Sequence, residues 1–212
     1  QSLISLLEAP LSPGVRISSD GETMLLLEMS GLPTINELSE PEYRLAGLRI
    51  DPITNGPSRS TYFKGIKIKS LSTGQESVFA GLPTDLRLSD ITWSPDETKI
   101  AFTHTSQTGI ELWVADLKSL AAKRLGKEHI NKTYGKIFVW NPDGKTILAQ
   151  FVDQKRTALT DPKVIPPGPV IQENTGKSTP APTYQDLLKS PYDEMAFDHF
   201  LTSQLKLVSM EG

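Results

Sequence analysis

The sequence predicts an all-β chain built from a repeated antiparallel strand unit, and three observations predict it. Three segments resemble one another: Val15-Arg-Ile-Ser-Ser-Asp-Gly21, Ile91-Thr-Trp-Ser-Pro-Asp-Glu97 and Phe138-Val-Trp-Asn-Pro-Asp-Gly144. Each is followed by an apolar stretch: Met24 to Leu27, Ile100 to Phe102, and Ile147 to Ala149. Their aspartates, at 20, 96 and 143, are 76 and 47 residues apart, and an insertion of 30 residues in the first unit brings the first spacing to 46.

Each unit reads as strand, tight turn, strand. Apolar residues alternate before the turn (Val15/Ile17, Ile91/Trp93, Phe138/Trp140), the period of a half-buried strand. Proline at the second turn position presets φ, aspartate bonds its own backbone, and glycine accepts positive φ. Glu97 stands where glycine fits best, so its turn is expected to be strained or of another type. The stretches after the turns are apolar on both sides, as in a sheet covered on both faces. Third strands follow at Gly65 to Leu71, Ile110 to Leu117 and Gln204 to Met210. Fourth strands follow at Glu76 to Ala80 and Ala122 to Leu125, and the third unit has none.

Repeats of four strands and roughly 40–45 residues are the signature of β-propeller blades. The predicted fold is therefore a partial β-propeller of four-stranded antiparallel blades, two complete plus three strands of a third, with two long loop and helix insertions. Blade 1 covers about 15–82 with an insertion at 30–61, blade 2 about 87–126, and blade 3 about 136–212 with an insertion at 153–202. Both insertions join second to third strands, so both emerge on the face opposite the aspartate turns. The first carries a short helical candidate near Ile35 to Leu38. The second is an extended strap with six prolines in residues 161–182, followed by two helix starts, Thr183-Tyr-Gln-Asp186 and Ser190-Pro-Tyr-Asp193. Long loops inside compact repeats serve either as structural straps or in function.

Composition narrows the chemistry. The 212 residues contain no cysteine, which excludes disulfides, thiolate zinc sites and cysteine catalysis. His104, His129 and His199 are scattered and form no H-x-x-x-H pair, so no metal signature is visible. Neither G-x-G-x-x-G nor the Walker pattern occurs, and no cofactor is expected. Twenty-two basic and 25 acidic side chains are interspersed, with a net charge of −3, so no nucleic-acid arm is expected. No apolar run is longer than the four residues of Met24 to Leu27, far too few to cross a bilayer. No basic-then-apolar leader follows Gln1, so any signal peptide is expected to have been removed or never to have existed.

The insertions carry a more particular likeness. Glu40-Pro-Glu-Tyr-Arg-Leu-Ala-Gly-Leu-Arg-Ile-Asp-Pro52, Asn55-Gly-Pro-Ser-Arg59 and Tyr62-Phe-Lys-Gly65 resemble the first blade of a prolyl oligopeptidase-family serine peptidase, in the glutamyl-endopeptidase-like branch of bacteria and chloroplasts. Val170-Ile-Gln-Glu-Asn-Thr-Gly-Lys177 and Ala181-Pro-Thr-Tyr-Gln-Asp-Leu-Leu-Lys-Ser-Pro-Tyr-Asp-Glu194 resemble the same branch. The resemblance implies an N-terminal propeller covering a C-terminal α/β-hydrolase domain with a Ser–Asp–His triad, absent from this chain. It implies a periplasmic or secreted protein in bacteria, or a chloroplast stromal one.

No G-x-S-x-G elbow occurs, the nearest match being Gly56-Pro-Ser-Arg-Ser60 in a proline-rich loop. No catalytic residue is therefore assigned. A glutamate-preferring peptidase needs a cation for the substrate carboxylate, and arginine offers a bidentate fork. That makes Arg44, Arg49 and Arg59 candidate substrate-binding residues, the plain alternative being anchors that tie the insertion to carbonyls or nearby acids. Asp20, Asp96 and Asp143 read as turn formers, Trp93 and Trp140 as packing between blades, and Asn131-Lys-Thr133 as a glycosylation sequon of the eukaryotic secretory route.

Three expectations follow. The chain gates peptide substrate for a hydrolase domain and is inactive alone; alternatively it is a binding scaffold for a protein partner, with no enzyme attached. In either case a partial propeller exposes apolar sheet faces and self-associates.

Overall fold

The computed structural model describes residues 11–159, 176, 184 and 186–210. The first unit runs through β1 (Gly14–Ile17) and β2 (Thr23–Met29). Its insertion then holds α1 (Ile35–Ser39), β3 (Tyr43–Leu45), β4 (Leu48–Asp51) and β5 (Gly56–Pro57). The unit resumes with β6 (Phe63–Ser70) and β7 (Glu76–Val78). The second unit is β8 (Leu88–Trp93), β9 (Lys99–Thr105), β10 (Ile110–Asp116) and β11 (Ala121–Arg124). The third is β12 (Phe138–Trp140), β13 (Thr146–Val152), then α2 (Pro191–Leu201) and β14 (Ser203–Ser209).

The chain is all-β apart from the two helices. Strands β1-β2-β6-β7, β8-β9-β10-β11 and β12-β13-β14 form antiparallel runs, the first two joined through one residue pair, Phe63 with Leu88. The three runs do not close into a ring, and β3-β4-β5 is a separate small sheet.

The turns form as their sequences dictate. Asp20, Asp96 and Asp143 each accept from the backbone N–H two residues on, at 2.9, 3.2 and 2.8 Å. The residue after each aspartate takes positive φ: Gly21 at 71°, Glu97 at 51° and Gly144 at 64°. Glu97 thus adopts the glycine conformation with a side chain attached. Its carboxylate accepts from Ser19 N–H (2.9 Å) and Ser19 Oγ (2.9 Å), tying the second turn to the first. Asp96 is drawn down to about 2, chiefly by the Ser94 hydroxyl and then by the Thr98 N–H and hydroxyl.

Packing between units follows from strand alternation. On β9, Ile100 and Phe102 point into a core shared with Leu25, Leu27 and Ile66 of the first unit. Ala101, Leu112 and Val114 point the other way, against Phe138, Ile147 and Phe151 of the third. Trp93 lies against the first of these cores and Trp140 against the second, so the tryptophans do pack between units. Only the second unit is covered on both faces among the described residues. In the third, Leu148, Leu205 and Leu207 look outward at 38, 68 and 68% exposure. None of the described residues lies beyond the outer two units, so their outer faces stay open, as expected of a partial propeller, and the strand stretches of these units are not covered on both faces.

The insertions, expected as loops and helices, fold into one body. Tyr43–Leu45 pairs with Leu48–Asp51 across a two-residue Ala46-Gly47 turn with φ of 49° and 83°, the primed geometry that suits a hairpin. Thr34 with Glu37 and Ser190 with Asp193 complete capping boxes on α1 and α2. Ala196 and Phe200 of α2 then bury Leu45 and Ile50 of the hairpin. The proline-rich strap at 161–182 and Thr183 lie outside the described residues, Gly176 excepted. Residues 186–190 are not helical and Asp186 takes φ 55°, so the helix start read at Thr183 to Asp186 is corrected.

Candidate functional site

The insertion body sits on the units through a buried polar hub. Asn131 is fully buried. Its Nδ2 donates to Phe200 O (2.8 Å) and Thr202 O (3.0 Å) at the end of α2, and its Oδ1 accepts from Asn55 Nδ2 at 2.7 Å. Thr133 donates to the same oxygen from N–H (3.1 Å) and Oγ1 (2.7 Å). Asn55 is held at φ 57° and its carbonyl accepts from Lys132 N–H at 3.0 Å. The sequon reading is thereby corrected: a fully buried amide with every donor and acceptor occupied is closed to a glycan in the fold.

The three candidate arginines do come together. Arg44 and Arg49 face one another across β3 and β4, and Arg59 lies just past β5. They converge on a carboxylate of this chain. Glu42, whose side chain is 6% exposed, takes Arg44 Nε at 2.8 Å, Arg49 Nη1 at 3.3 Å and Arg59 Nε at 3.9 Å. Ser58 Oγ donates to it at 2.7 Å, and this hydroxyl, more than the guanidiniums, holds its carboxyl below the usual range against the opposing cost of burial. Arg49 also reaches Asp186 at 3.8 Å, and Arg59 donates to Leu38 O at 3.1 Å. These contacts leave the three arginine side chains 38–52% exposed.

Beside this cluster a groove of about 790 Å³ separates the first insertion from the second unit. Several of its charges pair with one another. Glu37 accepts from Tyr62 Oη at 3.0 Å and lies 3.8 Å from Arg87, whose guanidinium covers the Tyr62 ring at 5.3 Å. Lys132 donates to Ser89 Oγ at 2.8 Å and pairs with Asp90. His104, on the groove wall, is buried, and its Nδ1 accepts from Arg87 N–H at 3.2 Å, a structural role. A second recess of about 310 Å³ lies between the first insertion, the β9–β10 loop and α2, with His129, Arg156 and His199 on its walls.

Glu42 and Arg156 are the residues that sequence reasoning missed. Glu42 was visible inside the Glu40-Pro-Glu42 motif, but its three cations come from positions up to 17 residues away. Arg156 stands in Asp153-Gln-Lys-Arg156, a solvated turn by every local signal.

No protein-family model matches the chain. It is 34% identical over 221 aligned positions to a rice (Oryza sativa subsp. japonica) protein named "Probable glutamyl endopeptidase, chloroplastic", and 31% identical to its Arabidopsis thaliana namesake. Each alignment takes in 98% of this chain, which spans 23% of the length of these curated relatives. Among solved structures, acylaminoacyl peptidase of Pyrococcus horikoshii aligns with 70% of the chain and 18% of its own length, at 22% identity and TM-score 0.37. The β-propeller domain of the trilobed protease of Pyrococcus furiosus aligns with 66% of the chain and 34% of its own, at 16% identity and TM-score 0.38. Along nearly its whole length, then, the chain is a relative of the glutamyl endopeptidases, the branch of the prolyl oligopeptidase family to which its two insertions pointed.

Proposed function

We propose that this chain is the N-terminal part of a β-propeller domain in a prolyl oligopeptidase-like serine peptidase, and that it gates and positions peptide substrate for a C-terminal α/β-hydrolase domain. The three antiparallel runs serve as blades, about 15–82, 87–126 and 136–212, with insertions at 30–61 and 153–202. The observation that carries the reading is the joint insertion body. Segments from the first and third units share one core, on one face, beside a groove of about 790 Å³. Long additions that converge on one face of a repeat scaffold are where such folds place their function. The glutamyl endopeptidase relatives support the same reading. The part-exposed side chains of Arg44, Arg49 and Arg59 face the substrate carboxylate, while Glu42 fixes their spacing.

In this reading the chain supplies no catalytic residue. Its partners are the hydrolase domain, peptide substrate and, for the chain alone, a second copy docked on the outer sheet faces. Among the described residues no helix is long and apolar enough to cross a membrane. The chloroplastic relatives favour a plastid setting over a periplasmic or secreted one. Chromogenic peptides containing glutamate provide the test: the whole protein that carries this segment hydrolyses them and the chain alone does not. Turnover by the chain that survives repurification overturns the assignment.

A further inference from the structure

Arg156 makes no ion pair among the described residues, and the charge that favours its cationic form is the more distant Asp153. It follows β13 at the entrance to the second insertion and is half-buried. Its Nη1 donates to Asn55 Oδ1 and, at 3.1 Å, to His199 O, both neutral acceptors, and its guanidinium lies 5.8 Å from the Phe200 ring centre. Among the described residues no carboxylate lies within ion-pair distance. Arg44, Arg49, Arg59, Arg87 and Arg124 each have one, and Arg16 is exposed. Asp153, close in the chain, spends Oδ1 on Gln204 Nε2 at 2.6 Å and Lys155 N–H at 2.9 Å. Burial of a cation without a close partner is costly: desolvation pulls the Arg156 pKa down, and the Asp153 charge offsets that only in part.

This guanidinium lines the recess of about 310 Å³, together with Asp153, His129, His199, Thr108 and Gly109. His199 Nδ1 lies 2.9 Å from Thr157 O, and a carbonyl only accepts, so the ring proton sits on Nδ1 and Nε2 is the bare nitrogen. Burial first, then Arg124 for His129 and Arg156 for His199, holds both imidazoles below their usual range. At neutral pH the guanidinium is therefore the positive charge of the recess, with two neutral rings beside it and the Asp153 carboxylate, outside ion-pair distance, also lining it. A Cβ on Gly109 would stand 2.4 Å from the His129 ring, so glycine there lets the ring lie flat against the loop.

We propose that this recess binds a carboxylate, as an acidic side chain, a peptide C-terminus or a small dicarboxylate, with Arg156 as its cation. The planar fork of arginine matches a carboxylate, and the volume suits a group the size of a glutamate side chain. The site does not depend on the peptidase reading, because binding is measured without turnover. Glutarate, inorganic phosphate, and a capped dipeptide ending in free carboxylate or in amide are titrated calorimetrically into the full chain at neutral pH. Glutarate binds one to one, with a Kd on the order of 1 mM, and more tightly than phosphate. The free-acid and amide dipeptides differ if the site takes a C-terminus, and bind alike if it takes an acidic side chain. Arg156→Gln weakens glutarate about tenfold or more. Ala158→Asp, which puts a second carboxylate on the recess wall beside that of Asp153, removes glutarate binding and leaves the thermal midpoint unchanged or raised, so the test stands even where Arg156→Gln fails to fold. Absence of saturable glutarate binding, glutarate affinity unchanged by Ala158→Asp, or phosphate binding as tightly as glutarate overturns the proposal.

Discussion

Glu97 holds a backbone conformation that its side chain disfavours, and the side chain is also the reason to keep it. At φ 51° a residue with a Cβ is strained by about 1 kcal/mol relative to glycine, while the carboxylate takes two donors from Ser19 in the neighbouring turn. Substitution separates the two terms. Glu97→Ala keeps the strain and loses the bonds, whereas Glu97→Gly loses the bonds and the strain together. The glycine variant should be the more stable of the two by about 1 kcal/mol in urea unfolding; the reverse order would mean that the turn relaxes on substitution. The misfit at Glu97 was legible in the sequence, because a turn is a local object and its positions carry fixed chemistry. Glu42 and Asn131 were not legible in the same way. Their partners come from Arg59 and from the end of α2, and no local pattern says which acid meets which cation or which asparagine goes inside.

Among the elements, α2 and the β3–β4 hairpin stand or fall together. Neither buries an apolar face alone: Leu45 and Ile50 on one side meet Ala196 and Phe200 on the other, with the Tyr43 ring 5.1 Å from that of Phe200 and Tyr43 Oη 2.9 Å from Tyr192 Oη. Phe200→Ala removes the largest side chain of this small core and should cost about 3–5 kcal/mol locally. Hydrogen exchange reads the result segment by segment. Protection is expected to fall across 43–57 and 191–201 and to persist in β9 and β10, whose core is separate. Equal loss in β9 and β10 would show that insertion and units fold as one cooperative block. The α2 start at Ser190 was legible from its capping box, which acts within four residues, and α1 was legible as a short helical candidate near Ile35 to Leu38. The hairpin was not, because strands of three and four residues are too short for alternation to register, and Ala46-Gly47 lacks the Asn-Gly or Asp-Gly signature of its turn. The start read at Thr183 failed for a tertiary reason: Asp186 is turned to positive φ, and its carboxylate lies toward Arg49.

For the whole molecule, the repeat spacing made the three units legible and the alternation made their stacking legible, since a strand such as β9, apolar on consecutive residues, has to be covered twice. Among the described residues the same logic leaves an unmet demand at both ends of the stack. The first unit shows Val15, Ile17 and Val78 at 41, 54 and 65% exposure, and the third shows Leu205 and Leu207 at 68% each, with Leu207 opposite Leu148 in the strand register. Covering a leucine of this kind is worth about 1–2 kcal/mol, so an apolar sheet face of several such residues should find a mate when the chain is alone. Light scattering over a concentration series is expected to give a dimer or larger species. The double variant Leu205→Lys, Leu207→Lys should shift it toward monomer without unfolding, because both side chains already point away from the core. The charge acts twice, through the desolvation of two ammonium groups on docking and through their mutual repulsion across a symmetric contact. A well-folded monomer of the unaltered chain at high concentration would show that the outer faces are tolerated in water, and the self-association reading would fall with it.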